Sequence, residues 1–330
     1  MRRSLLAAPG WGHDHSSRST RTYFDTFDWR CFRAGGFLEH SAAIDGSSLS
    51  WFDLASGEAR FRQQAAGEPR FLSEVPLGRL RDHREVLIGV RALIPVVVVH
   101  VEREVVRRLD DERKTVVRVA FEQSLVETGD GVESIGWRAR VEPVLGYQRA
   151  ADNAAQVLGV LGLVAASRDA VLDALDRAGA EPGSYSSKLK IAIPPHATAF
   201  DAYVQVLRTL LQKVELNRPG AIADLDVEFL HDLRMAVRRA RSVLRTADEV
   251  LPPSMIDDLS GRLRWLQQVT GWARDLDVWV LGFDRRAETF PAESRASLEP
   301  LRAYLEKERV AEGLVDPFWP GSPETKGAGS

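Results

Sequence analysis

Two hydrophobic periods divide this chain, and each admits one kind of backbone. Across residues 96–108 the sequence alternates, with Val97, Val99, Val101 and Arg103 on one side and Val98, His100, Glu102 and Glu104 on the other. Successive side chains of a strand point to opposite faces, so this segment reads as a strand that is apolar on one face over most of its length. Residues 114–121 and 136–144 continue the series, with Arg138 and Arg140 at alternating positions. Shorter runs at 22–26, 37–42, 48–54 and 59–63 are bounded by Gly, Asp and Ser. Past Ala199 the period lengthens: Phe200, Tyr203, Val204, Leu207, Leu210, Leu211 and Val214 recur at helical spacing. The expected class is α+β, an N-terminal antiparallel β domain followed by an all-α helical bundle.

The segments between fill in a domain plan. Residues 1–20 are expected to be disordered, 21–178 to form the sheet domain, 179–196 a linker rich in Gly, Pro, Ser and Lys, 197–311 the helical domain, and 312–330 a disordered tail. Residues 152–178 read as two helical pieces, the second N-capped by Ser167. In the helical domain the first helix is expected to end before Asn217, Pro219 and Gly220, and the second to stop at Pro252-Pro253. Ser254 then caps a third, whose inner face takes Leu259, Leu263, Trp265, Leu266, Val269, Trp272, Leu276 and Val280. A fourth covers 294–310.

A chain of 330 residues can build two sizeable cores, and its net charge of −3 gives no general attraction to nucleic acid. Any anion site must be local. A single cysteine, Cys31, excludes an internal disulfide framework, and no Cys/His cluster has metal-ligand spacing. The apolar run before Pro9 and Gly10 is too short for a signal peptide, and the longest runs, 92–99 and 157–166, are too short to span a bilayer. The expectation is a cytoplasmic protein without a membrane partner.

The local charge is found at residues 229–245, FLHDLRMAVRRARSVLR. At helical spacing His231, Arg234, Arg238, Arg241 and Arg245 fall within an arc of roughly 80°, beside the apolar arc of Leu230, Leu233, Val237, Ala240, Val243 and Leu244. Only Arg239 points elsewhere. Like charges at these spacings repel by a few tenths of a kcal/mol per pair. A solvated helix face would intersperse acids, whereas a row of planar donors suits a phosphate-rich anion, which Arg binds in bidentate fashion. Arg274 and, from the first helix, Arg208 and Lys213 are supporting candidates. Asp277 falls on the inward face of the third helix, where an unpaired carboxylate is costly, so its expected partner is His231 or a stripe arginine.

His231-Asp232-Leu233-Arg234, then Arg238-Arg239-Ala240-Arg241, then Arg274-Asp275-Leu276-Asp277-Val278 resembles the CHAD domain, the conserved-histidine α-helical module, over roughly residues 196–311. The resemblance implies binding of inorganic polyphosphate. It also implies a domain of two similar helical halves, of which about one is present; the alternatives are completion by a second copy of the chain, as a homodimer, and a truncated relic. Tyr23-Phe24-Asp25-Thr26 with Arg33-Ala34-Gly35 resembles, more weakly, the start of a CYTH domain, a triphosphate tunnel whose closed barrel holds metal and triphosphate. This chain departs from that pattern. No acid-x-acid-x-Lys strand precedes Tyr23, the segment after Gly35 reads Phe37-Leu38-Glu39-His40, and of the later paired acids only Glu142 remains. A hard cation needs several oxygen ligands, so no metal site and no catalytic residues are assigned.

The reading is therefore a non-enzymatic polyphosphate binder without cofactor, with a degenerate CYTH-like first domain. The alternatives are a triphosphatase using magnesium or manganese in that domain, and a helical interaction module. For Arg103, Arg107, Arg118 and Arg138, a residual basic bore competes with a sheet face neutralised by Glu102, Glu104, Glu122 and Glu142.

Overall fold

β1 (Trp11–Asp25) is the strand on which the first unit is assembled, because it pairs along both edges, with β2 (Gly36–Ala43) and with β5 (Ile94–Leu109). β3 (Gly46–Asp53) and β4 (Glu58–Gln64) extend the sheet beyond β2, and β6 (Thr115–Thr128) and β7 (Gly131–Pro143) extend it beyond β5. The result is a seven-stranded, wholly antiparallel sheet in the order β4-β3-β2-β1-β5-β6-β7. The structure, a computed structural model, describes residues 5–311 and divides into two compact units between Ser186 and Ser187.

The sheet is buried on both faces. On one, Tyr23, Phe37, Phe52, Val97, Val99, Val101 and Val126 pack with Val171, Ala174 and Leu175. The other is covered in two places. Phe24, Leu38, Leu49 and Trp51 lie under the β4–β5 connection, which supplies Leu72, Val75, Leu80 and Ile88. Val106, Val117, Val119 and Phe121 lie under Ala151, Ala154 and Leu158. The covering helices are α2 (Arg79–Ile88), α3 (Gln148–Val160) and α4 (Ala170–Arg177), with a single turn, α1 (Arg30–Arg33), after β1.

Several expectations need correction. Residues 11–20 are not disordered; they are the first ten residues of β1, and Leu5 is buried under the sheet at 1% exposure. Their Ser, His and Arg content hides the strand from a hydrophobic pattern, and pairing with β5, joined by β2 only from Ser19, supplies what propensity does not. The sheet is not hydrogen-bonded into a closed barrel, since β4 and β7 are its two ends. It does curl, because a methyl on Gly57 in the β3–β4 turn would stand 2.9 Å from Asp169 and 3.8 Å from the Arg140 guanidinium on β7. Asp169 rather than Ser167 caps α4. The first part of the expected linker belongs to the sheet unit: Tyr185 is buried against Phe27, and Arg33 donates to the carbonyls of Gly183 and Tyr185.

The Tyr23-Phe24-Asp25-Thr26 motif has a structural job. Asp25 is fully buried and accepts hydrogen bonds from the backbone N–H groups of Thr26, Cys31 and Phe32 at 2.6, 2.8 and 2.8 Å, which fixes α1 to the end of β1.

In the second unit α5 (Ala199–Ile222) and α6 (Val227–Leu244) form an antiparallel pair, followed by α7 (Pro253–Val269), α8 (Gly271–Leu281), the short α9 (Phe283–Ala287) and α10 (Ala292–Arg295), and α11 (Glu299–Ala311). Pro219 does not end α5, because the helix runs through it. Gly220 permits the closest approach of the pair, since a Cβ there would fall 2.3 Å from the Phe229 ring. The expected third helix is two, broken at Thr270, and it starts with Pro253 in its first turn rather than with a Ser254 cap. On either side of that break Val269 and Trp272 are exposed, not inward. The tail at 312–330 lies outside the described residues. No helix among the described residues is long and apolar enough to cross a membrane.

Burial pushes the Asp25 carboxyl up to about 6, against the opposing pull of its three backbone donors. A carboxyl raised in the folded state stabilises that state while protonated, so the contribution is complete below about pH 4 and lost as pH rises through about 6. The stability difference between wild type and Asp25→Asn is therefore expected to shrink by about 1–3 kcal/mol between those limits. Denaturant titrations at a series of pH values measure it, and a pH-independent difference would remove this role from Asp25.

Candidate functional site: the arginine flank of α6

α6 begins at Asp226, whose carboxylate accepts from the N–H groups of Glu228 and Phe229, and it buries Phe229, Leu230, Leu233, Ala236, Val237, Ala240 and Leu244. That core face leaves one flank to His231, Arg234, Arg238 and Arg241, with Arg245 as the residue that closes the helix. Arg245 also suits the negative end of the helix dipole. Arg238 and Arg245 are exposed, and His231, Arg234 and Arg241 are half-buried.

The flank is braced by α7. Arg234 Nη1 donates to the Gln267 carbonyl and to Thr270 Oγ1, both at 2.7 Å. Arg241 Nη1 donates to Gln267 Oε1, and Arg245 Nη2 to Ser242 Oγ at 3.1 Å. The last carbonyls of a helix lack partners within it, so the Arg234 guanidinium also completes the carboxyl end of α7. Burial lowers the Arg234 pKa; nearby Asp275 opposes this and Arg274 reinforces it. Every acceptor that binds an arginine of this flank directly is neutral. Among the described residues none of the five makes an ion pair.

Arg274 lies near the start of the flank, with its Nη1 3.3 Å from the Val227 carbonyl and 3.8 Å from Asp277. Lys213 is not on this flank. Its charge is felt by Asp232 and Arg239, which point away from the stripe, and burial lowers its pKa. Arg208 is exposed on α5 and makes no hydrogen bond or ion pair with a stripe residue.

Asp277 is buried, at 4% exposure, but its partner is neither His231 nor a stripe arginine. Arg309 of α11 donates to it at 2.8 Å and also reaches Asp224 at 2.7 and 3.1 Å. The break at Thr270 turns the Asp277 side of α8 towards α11, where Leu276, Phe283 and Leu305 form a small core. Asp277 thus ties α8 to α11 and to the α5–α6 connection. Burial raises its pKa, and Arg309 pulls it back.

The arginines of the sheet face are placed quite differently. Arg21 donates to Glu122 at 3.1 Å, and Arg103 pairs with Glu142 and lies 3.8 Å from Glu122. Arg118 and Arg107 meet Asp14 at 2.9 and 3.5 Å, and Arg138 pairs with Asp173. The Arg118 hydrogen bond is the main cause that holds the Asp14 carboxyl below its ordinary value. Glu122 and Glu142 neutralise this face as expected; Glu102 instead pairs with Arg18, and Asp14 and Asp173 take part unforeseen. Among the described residues no three His, Cys, Asp or Glu side chains gather where they could hold a metal ion.

Residues 205–315 match the family model of the CHAD domain. The helical unit carries a CHAD domain. The stripe, the Arg274 to Val278 segment and Arg309 all lie within the match. Among solved structures, a Bacillus halodurans protein provisionally described as an adenylate cyclase is similar at 13% identity and a TM-score of 0.38, over 52% of this chain and 87% of that one. No curated protein matches the chain.

Gln267, Thr270 and Arg309 were not among the candidates. The first two act through acceptors on a neighbouring helix and follow no sequence spacing, while Arg309 lies 32 residues from its carboxylate. Removing Arg309 leaves Asp277 buried without its main partner, whereas removing Arg241 strands only a neutral amide. Arg309→Ala is therefore expected to cost roughly 1–4 kcal/mol and Arg241→Ala less than about 1. Thermal or denaturant melts of the two variants decide it, and the reverse order would remove Asp277 as the tie of this unit.

Proposed function

We propose that the CHAD domain of this protein binds inorganic polyphosphate, or a closely similar phosphate-rich anion, along the flank of His231, Arg234, Arg238, Arg241 and Arg245, with Arg274 adding positive charge near its start. The observation that carries this reading is the contrast between the two sets of arginines. Those of the sheet face are satisfied by carboxylates, so an incoming anion has to displace an internal one. The α6 arginines are steadied by a carbonyl, an amide and hydroxyls, so the positive potential of the flank remains available. The polyphosphate binding that the CHAD resemblance implies agrees with this chemistry. Guanidinium groups on one helix flank can follow successive phosphates of an extended polyanion without base or sugar contacts.

No comparable observation favours a triphosphatase in the sheet unit. There the arginines are engaged by carboxylates that a metal-bound triphosphate would also need.

Binding dominated by released counterions weakens as salt rises. In gel-shift and titration experiments, polyphosphate is expected to bind more tightly than duplex DNA, with log K falling linearly against log salt concentration. Replacing Arg234, Arg238 and Arg241 together by Glu is expected to reduce affinity at least about a hundredfold, with far-UV helical content unchanged. Binding that survives this replacement in a folded protein would show that the flank is not the site.

A further inference from the structure

We infer that Gln267 is the positioning residue of the α6 flank: one side chain and its own carbonyl fix two guanidinium groups for the anion while leaving their charge unspent. The consequence for affinity rests on the polyphosphate reading above, and the positioning itself rests on the geometry alone. Arg234 and Arg241 are seven residues apart, two helical turns or about 10.5 Å along the axis. Gln267 reaches both, accepting from Arg234 through its main-chain oxygen and from Arg241 through Oε1. Thr270 Oγ1 gives Arg234 its second acceptor. All of these bonds use Nη1, and no hydrogen bond among the described residues takes the Nε or Nη2 of either arginine.

The chemistry of residue 267 matters as much as its place. An arginine side chain loses rotamer freedom when it binds, and a neutral acceptor removes part of that cost in advance without cancelling the charge. A glutamate here would have the same reach and hold Arg241 at least as firmly, but it would form an ion pair and compete with the ligand. An alanine would free Arg241 and keep its charge. The two substitutions therefore separate geometry from charge, which a merely structural role for Gln267 would not do.

The test uses the full chain, long-chain inorganic polyphosphate as probe, and side-chain NMR of the arginine Nε–H groups. In the free protein, Gln267→Ala is expected to lower the order of the Arg241 Nε–H towards that of the exposed Arg238. Polyphosphate affinity is expected to fall by roughly threefold to tenfold, with the salt slope unchanged. Gln267→Glu should keep Arg241 ordered, weaken binding, and reduce the salt slope by about 0.7. An Arg241 that is equally ordered in wild type and Gln267→Ala overturns the inference. So does a Gln267→Ala protein with a lower melting temperature and wild-type affinity. A wild-type protein that does not bind polyphosphate overturns the proposed function instead, and the NMR comparison then decides the positioning by itself.

Discussion

A guanidinium taken part-way out of water must find acceptors, and the kind of acceptor it finds decides what each half of this molecule can do. Arg is never neutral under ordinary conditions, so burial cannot be relieved by losing a proton. In the sheet unit the acceptors are carboxylates: Asp14 serves Arg107 and Arg118, and Glu122 serves Arg21. Such pairs hold the strands in register across β1, β5 and β6 while cancelling the field over that face. In the helical unit the acceptors of the stripe are the end of a helix, an amide and hydroxyls. Geometry is obtained there without neutralisation. The same residue type is therefore neutralised by carboxylates in one unit and held by neutral acceptors in the other.

How much of this could be read from the sequence follows from the range of each signal. The valine alternation of residues 96–108 and the helical period of 199–214 are local, and both elements are present where they were expected. The first half of β1 was missed because its residues, His13 to Arg21, are polar; they are strand because β5 binds them, with β2 joining only from Ser19, which is a long-range fact. Pro219 misled for the opposite reason. The N–H that proline lacks would have been an interior bond of α5, yet the close packing of Gly220 against Phe229 keeps the helix going past it. α2 has no counterpart in the sequence reading, and its burial of Leu80 and Ile88 against Trp51 and Leu49 is again a tertiary matter.

The site divides along the same line. The placing of His231, Arg234, Arg238, Arg241 and Arg245 on one flank needs only the helical repeat. That Asp277 would be buried was legible from its position among leucines. That it would be held by Arg309 was not, since the break at Thr270 changes the direction of the chain just before it. Lys213 is set apart from the stripe by its neighbours: the charges it feels are those of Asp232 and Arg239, which lie off the stripe's arc.

The position of Thr270 brings these pieces together. It is 2% exposed, its hydroxyl donates to the Leu266 carbonyl at 2.7 Å and accepts from Arg234 at 2.7 Å, and it stands at the break between α7 and α8. A threonine that bonds back to the carbonyl four residues earlier bends a helix and competes with its ladder. Here that tendency falls where the chain has to turn, and the carbonyl of Gln267, which the break leaves to find a partner, is taken by the stripe. Breaking one helix therefore does two things at once. It directs Asp277 to Arg309, which closes the far side of the unit, and it presents to α6 the neutral acceptors that order its arginines. A continuous helix through residue 270 would satisfy its own carbonyls and leave Arg234 to water or to an acid.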